Sequence, residues 1–191
     1  MASAAYGEID ALRVIYGLKR IYRHNSVGDR KESTAEHTFS SLVLADFLLD
    51  RYDFKVDKER VFELVLYHDL VEVHADDTPL RPGVDRSGKG ERENAAFKRL
   101  LTELPSRLAV RYNDLYIEFE SQKTREARLA RAVEQLDAEI HELDYKRDWK
   151  GWTEGFLREN KEKCFRGFPE LREIFEEHVR YIRENGYFDV K

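Results

Sequence analysis

Apolar residues in this chain recur at three- and four-residue spacing in one segment after another, and that period commits most of the sequence to α-helix. Only four prolines, at 79, 82, 105 and 169, and ten glycines interrupt it. The spacing predicts helices over residues 8–22, 34–50, 57–73, 91–104, 105–120, 124–143, 153–161 and 169–185. In the first of these, Ile9, Leu12, Ile15, Tyr16 and Leu18 are expected to face inward. Ser33-Thr34-Ala35-Glu36 reads as a capping box that starts the second helix, and Asp57 as the N-cap of the third. The third is apolar on most sides, which marks it as central. No alternating apolar–polar run of strand length competes. The expected fold class is therefore all-α, in one domain over residues 1–191. A polar loop is expected over 24–32. The longest non-helical segment, over 74–89, contains Pro79, Pro82, Gly83 and Gly88 and is a natural place for function.

Composition narrows the function. The net charge of −5 lacks the basic surplus that a nucleic-acid polymer demands, so the expected substrate is a small molecule. One or two placed cations suffice for a small anionic substrate. The 12% aromatic content supports a packed core rather than disorder. Cys164 is the only cysteine, which excludes an intrachain disulfide and a Cys-rich zinc site. The segment Met1 to Tyr6 has no cationic stretch leading into an apolar run, and no apolar stretch approaches a membrane span. A reducing cytoplasm is the expected setting.

Chemistry concentrates in a few acids and histidines. His68-Asp69 falls near the end of the most apolar helix, where a charge must be paired or bound to metal. Glu72 follows His68 at i+4, on the same face of a continuous helix. Asp76 and Asp77 come just beyond. A buried His–Asp hydrogen bond beside a solvated acidic turn accounts for these residues equally well. His37 lies in the first turns of the second helix, where a cationic imidazole opposes the helix dipole and a neutral, metal-bound one does not. Asp137 flanks the inward stripe of Leu136, Ile140 and Leu143. It is either a solvated acid, a partner of His141 or a ligand.

Four stretches then fall in one order. Arg30-Lys31-Glu32-Ser33-Thr34-Ala35-Glu36-His37-Thr38, Tyr67-His68-Asp69-Leu70-Val71-Glu72, Asp76-Asp77-Thr78-Pro79 and Gln135-Leu136-Asp137 together resemble the motifs of HD-domain phosphohydrolases. The subgroup they resemble most is the 5′-deoxynucleotidases. The similarity runs over about residues 9–145, and the helices over about 153–185 are expected to pack on that core. The resemblance implies one divalent metal on His37, His68, Asp69 and Asp137. Two imidazoles and two carboxylates suit Mn, Co, Fe, Ni or Zn, with Mg possible. It implies Glu72 as general acid/base with Asp77 assisting, and Arg23 on the substrate phosphate. His24, Asp77, Thr78 and Pro79 would border the nucleoside. Some bacterial members carry Trp after that arginine; His24 stands there in this chain, which leaves deoxyribo against ribo selectivity open. Asp76 stands where Gly is usual.

The implied reaction is hydrolysis of a (deoxy)nucleoside 5′-monophosphate to nucleoside and phosphate by a homodimer. Two alternatives are hydrolysis of nucleotide polyphosphates or dinucleotides at a similar site, and a metal- or nucleotide-binding sensor without turnover. The segment after about residue 145, with Trp149 and Trp152, matches no motif and is expected to serve packing or a dimer surface.

Overall fold

A computed structural model describes residues 4–190. Its helices are α1 (Ala4–Ala11), α2 (Thr34–Arg51), α3 (Lys58–Tyr67), α4 (Glu72–Ala75), α5 (Lys89–Glu103), α6 (Ser106–Ser121), α7 (Arg125–Glu142), α8 (Glu154–Lys161) and α9 (Pro169–Glu184). The all-α class holds, with one exception: strands β1 (Tyr22–Val27) and β2 (Arg30–Ser33) pair as an antiparallel hairpin.

The helix starts follow the sequence signals. Ser33 Oγ accepts from the Glu36 N–H at 3.3 Å, and Glu36 Oε2 accepts from the Ser33 N–H at 2.9 Å, which completes the capping box of α2. Asp57 caps α3 through the Arg60 N–H. Thr124 and Thr153 cap α7 and α8 in the same way. Each such cap is worth about 1 kcal/mol.

The core has two main parts. In the larger, Leu48 and Leu49 of α2, Val61, Leu64 and Val65 of α3 and Leu129, Val133 and Leu136 of α7 pack together. Leu157 of α8 and Phe175, Val179 and Ile182 of α9 belong to the same cluster, as do Trp149 and Trp152. The C-terminal segment is thus core, not periphery. Phe165, Phe168 and Phe175 are fully buried, and each contributes about 1.5–3 kcal/mol of hydrophobic stabilisation. In the smaller part, Leu100, Leu104 and Tyr112 of α5 and α6 close on Leu18 and Leu70.

Three expectations are corrected. The first helix is not one α-helix to residue 22: α1 stops at Ala11 and a 3₁₀ helix covers Leu12–Arg20. Three residues per turn place Leu12, Ile15 and Leu18 on one face. They face the protein to different depths, while Tyr16 and Ile9 are 56% and 62% exposed. The polar loop over 24–32 is the hairpin. Val27-Gly28-Asp29-Arg30 was its signal, because a two-residue Gly-Asp turn suits a hairpin and Gly28 takes φ +58° at its first position. Finally, α3 ends at Tyr67 rather than 73. The chain tightens through i→i−3 bonds, from Leu70 N–H to Tyr67 O and from Glu72 N–H to Asp69 O, before α4 begins. Glu72 is therefore set by its position three residues after Asp69, not by sharing a helical face with His68.

Candidate metal centre and active site

Two elements bring three ligands to one point. His37 comes from the second turn of α2, and His68 and Asp69 from the tightened turn after α3. One ligand atom from each lies within 4.8 Å of the others. His37 is fully buried and His68 nearly so. The His68 Nδ1–H donates to the Val65 carbonyl at 2.7 Å, because a carbonyl only accepts. The His37 Nδ1–H donates to Asp137 Oδ2 at 2.9 Å. In the neutral imidazole the proton is thereby placed on Nδ1 and Nε2 carries the lone pair.

Both Nε2 atoms are buried without a hydrogen-bond partner. Asp69 Oδ2 stands 3.0 Å from that of His68 and 3.8 Å from that of His37. Two lone pairs and a carboxylate oxygen converge, which is an arrangement a cation satisfies and three acceptors alone do not. The donor set therefore fits a divalent ion.

Charge around the centre is tightly balanced. Burial by itself would raise Asp69, but His68, His37 and Arg23 outweigh it and hold the carboxyl well below the usual range. Burial also disfavours charge on His68, yet the Asp69 carboxylate pushes His68 up. Glu72 is pushed well up by burial and by the Asp69 and Asp77 carboxylates. Its Oε2 accepts from the Thr34 hydroxyl at 2.8 Å. Asp77 is raised by burial, against the pull of Arg23.

The hairpin delivers Arg23. Its Nη1 donates to Asp69 Oδ2 at 3.4 Å, and its Nε lies 3.3 Å from Glu32 Oε2. β1 is itself held on α7 and the segment beyond it. The Ser26 carbonyl accepts from His141 at 2.8 Å, and Asp148 accepts from the Ser26 N–H and hydroxyl at 2.7 and 2.9 Å. On the opposite side, Asp76 adopts φ +57° with its N–H on Glu72 O. That left-handed turn, where a glycine is less strained, sends Asp77, Thr78 and Pro79 along the wall of a cavity. The cavity, of about 120 Å³, is lined by Arg23, His24, Asp69, Glu72 and Asp77, and reaches Glu142 and Trp152.

A family model described as "HD domain" matches residues 15–172. The chain belongs to the HD-domain family. It is similar to 5′-deoxynucleotidase HDDC2 of Xenopus laevis, 28% identical over 194 residues that cover 97% of this chain and 94% of the relative. It is also 28% identical to the Homo sapiens HDDC2 over 137 residues, 70% of this chain and 66% of that one. Among solved structures it resembles a "Predicted metal-dependent phosphohydrolase" from Magnetospirillum magnetotacticum MS-1. The TM-score there is 0.86 at 28% identity, and 98% of each chain is covered. An HD-domain phosphohydrolase from Listeria innocua shares the fold, with a TM-score of 0.60 at 21% identity.

On this HD domain the motif residues meet, though not all in one role. His37, His68 and Asp69 cluster. Asp137 stands behind His37, its Oδ2 taken by His37 and by the Ser40 hydroxyl at 2.8 Å. His141 is turned away, onto Ser26 and the ring of Tyr145. Asp76 is exposed; its contribution is the turn. Sequence reasoning missed Thr34 on Glu72 and the pairing of Glu32 with Arg23. It also missed the far cavity wall of Asn25, Arg81, Glu142, Trp152 and Lys161. Glu32 had a signal, as part of the Arg30–His37 stretch. The far wall had none, because its members are scattered from residue 25 to 161.

Proposed function

We propose that this chain hydrolyses (deoxy)nucleoside 5′-monophosphates to nucleoside and phosphate, as one HD domain over residues 1–191. The observation that carries the reading is the pair of buried, unpartnered imidazole nitrogens aimed at Asp69 beside a cavity walled by Arg23. His37, His68 and Asp69 would hold a divalent ion, with Asp137, whose Oδ2 orients His37, as fourth ligand through its other carboxylate oxygen; the set suits Mn, Co, Fe, Ni or Zn. When bound, such an ion supplies a nucleophile at neutral pH and draws charge from the phosphoryl oxygens. Arg23, buried and anchored by Asp69 and Glu32, holds the phosphate by charge-assisted hydrogen bonds. Glu72, whose carboxyl burial and the Asp69 and Asp77 carboxylates push up, takes up and returns the proton, and Asp77 assists. His24, Thr78 and Pro79 border the sugar. The two HDDC2 relatives, named as 5′-deoxynucleotidases, support this substrate class.

The test is phosphate release from a panel of ribo- and deoxynucleoside monophosphates, with Mn, Co, Zn or Mg added in turn. Release that needs the ion and falls at least about a hundredfold in Glu72→Gln is expected. Release only from polyphosphates would sink the monophosphatase reading. That second reading has one observation in its favour. A neighbouring hollow of about 670 Å³, which shares Leu80, Arg86, Arg131 and Gln135 with the cavity, adds Arg128, Lys163 and Arg166 to its wall.

We also infer a homodimer. Phe39, Val43 and Phe47 recur at i, i+4 and i+8 on α2 and are 70%, 55% and 60% exposed. A helix stripe of this kind covers itself well across a two-fold axis. Wild type should sediment as a dimer and a Phe39→Glu, Phe47→Glu double variant as a monomer; identical sedimentation of the two removes this face as the interface.

A further inference from the structure

The cavity continues past the metal centre. Along α7, Gln135, Ala138 and Glu142 line it at i, i+3 and i+7, on one helical face. Glu142 lies five residues beyond Asp137, which is about 7.5 Å along the helix axis. That advance is comparable to the sugar that separates a 5′-phosphate from its base. Asn25 from the hairpin, Arg81 from the loop after α4, and Trp152 complete this inner end.

Four buried polar atoms there have no hydrogen-bond partner: Asn25 Nδ2, Arg81 Nη1, Glu142 Oε2 and Trp152 Nε1. Buried polar groups are paired in the great majority of cases. Four at one end of one cavity point to a ligand that pairs them. Their neighbours hold them in place. Arg81 Nη2 donates to the Lys150 carbonyl at 3.2 Å, and the Glu142 carbonyl is fixed by the Trp149 indole N–H at 3.1 Å. Trp152 packs edge-on against Phe156 and at a tilt against Trp149. Three N–H donors and one carboxyl, presented by a rigid wall, complement a flat ring bearing both N–H donors and ring or carbonyl acceptors. An alkyl or plain aryl alcohol would leave all four unpaired. Burial and the Glu139 carboxylate push the Glu142 carboxyl up to about 8, so it can donate as well as accept.

We propose that the inner end of the cavity is a nucleobase-reading subsite, in which the Glu142 carboxyl and the Trp152 indole N–H hydrogen-bond the base edge and set the base preference. The proposal rests on the nucleotide reading above and deepens it. A site built from buried hydrogen-bonding groups discriminates strongly against a ligand that cannot pair them.

The experiment compares wild type, Glu142→Gln and Trp152→Phe in two assays. The first measures kcat/KM for the four common deoxynucleoside 5′-monophosphates and for 2-deoxyribose 5-phosphate, which has no base. The second measures the affinity of the four deoxynucleosides by calorimetry. Wild type should prefer at least one nucleotide over the base-less sugar phosphate. In both variants that preference should fall about tenfold or more, with a matching loss of deoxynucleoside affinity and a changed order among bases. Trp152→Phe retains most of the ring, so a folding defect in one variant leaves the other as the test. If base preferences and deoxynucleoside affinities are unchanged in both variants, or wild type binds no deoxynucleoside, the subsite is overturned. If wild type releases no phosphate yet binds deoxynucleosides through Glu142 and Trp152, the subsite stands and the monophosphatase reading falls.

Discussion

The metal centre and the Glu139–Lys161 pair are both buried clusters of charge packed around α7, and they are balanced in opposite ways. At the first, Asp137 orients His37, and two imidazole lone pairs converge on Asp69, whose Oδ2 also meets Arg23 Nη1 at 3.4 Å. At the second, Glu139 is fully buried on the opposite register of the same helix, and the Lys161 ammonium from α8 hydrogen-bonds its Oε1. Burial disfavours charge on Lys161, but Glu139 and Glu142 outweigh it and push the ammonium up. His178, 3.8 Å from Glu139, is pushed down by burial and favours the neutral ring. One cluster supplies its own counter-charge and acts as structure. The other leaves ligand atoms open, and that openness is what chemistry requires. The lesson is that neither burial, acidity nor a lone unpartnered atom marks a site, since Glu139 Oε2 and His178 Nε2 are unpartnered too; ligand atoms that converge within 4.8 Å of one another do.

The comparison can be broken by exchanging the missing partner for the missing charge. The largest effect is expected at the open cluster. Asp69→Asn should lower phosphate release on the order of 10,000-fold and abolish stoichiometric metal uptake, as followed by metal analysis after dialysis. Near-wild-type activity in that variant would remove Asp69 as a ligand. A smaller effect, read as stability, is expected at the closed cluster. Lys161→Met leaves Glu139 charged and alone, and should cost about 3–5 kcal/mol in urea unfolding. Removing both charges, in Lys161→Met with Glu139→Gln, should return most of that loss, to within about 1–2 kcal/mol of wild type. A double variant as unstable as the single one would show that packing, not charge, holds the C-terminal helices there.

Much of the architecture was legible because it depends on local rules. The helical period located the helices from residue 34 onward to within a few residues, except at the end of α3 and at α4. The capping signals at Ser33 and Asp57 are local chemistry and start their helices as expected. His68-Asp69 was ambiguous taken alone and became informative with His37, Asp137 and the turn at Asp77 beside it. The hairpin was missed because burial of Asn25, Ser26 and Glu32 breaks the apolar–polar alternation by which strands are read. Their polarity is paired across the fold, as with Ser26 and Asp148, which are 122 residues apart. The end of α3 was misplaced because a run of apolar residues does not reveal whether the chain bonds at i−4 or i−3.

The sequence by itself determined the helical class, the caps and the residue types available to a metal, because each follows from neighbours within about a turn. Tertiary structure alone decided which acids are satisfied and which are open. It placed Asp137 on His37, Glu32 on Arg23, Lys161 on Glu139, and nothing on Glu142 Oε2 or the two imidazole Nε2 atoms. The reason is physical: a carboxylate or imidazole is defined by what lies within about 3 Å of it, and in this fold those neighbours come from segments as much as 122 residues away.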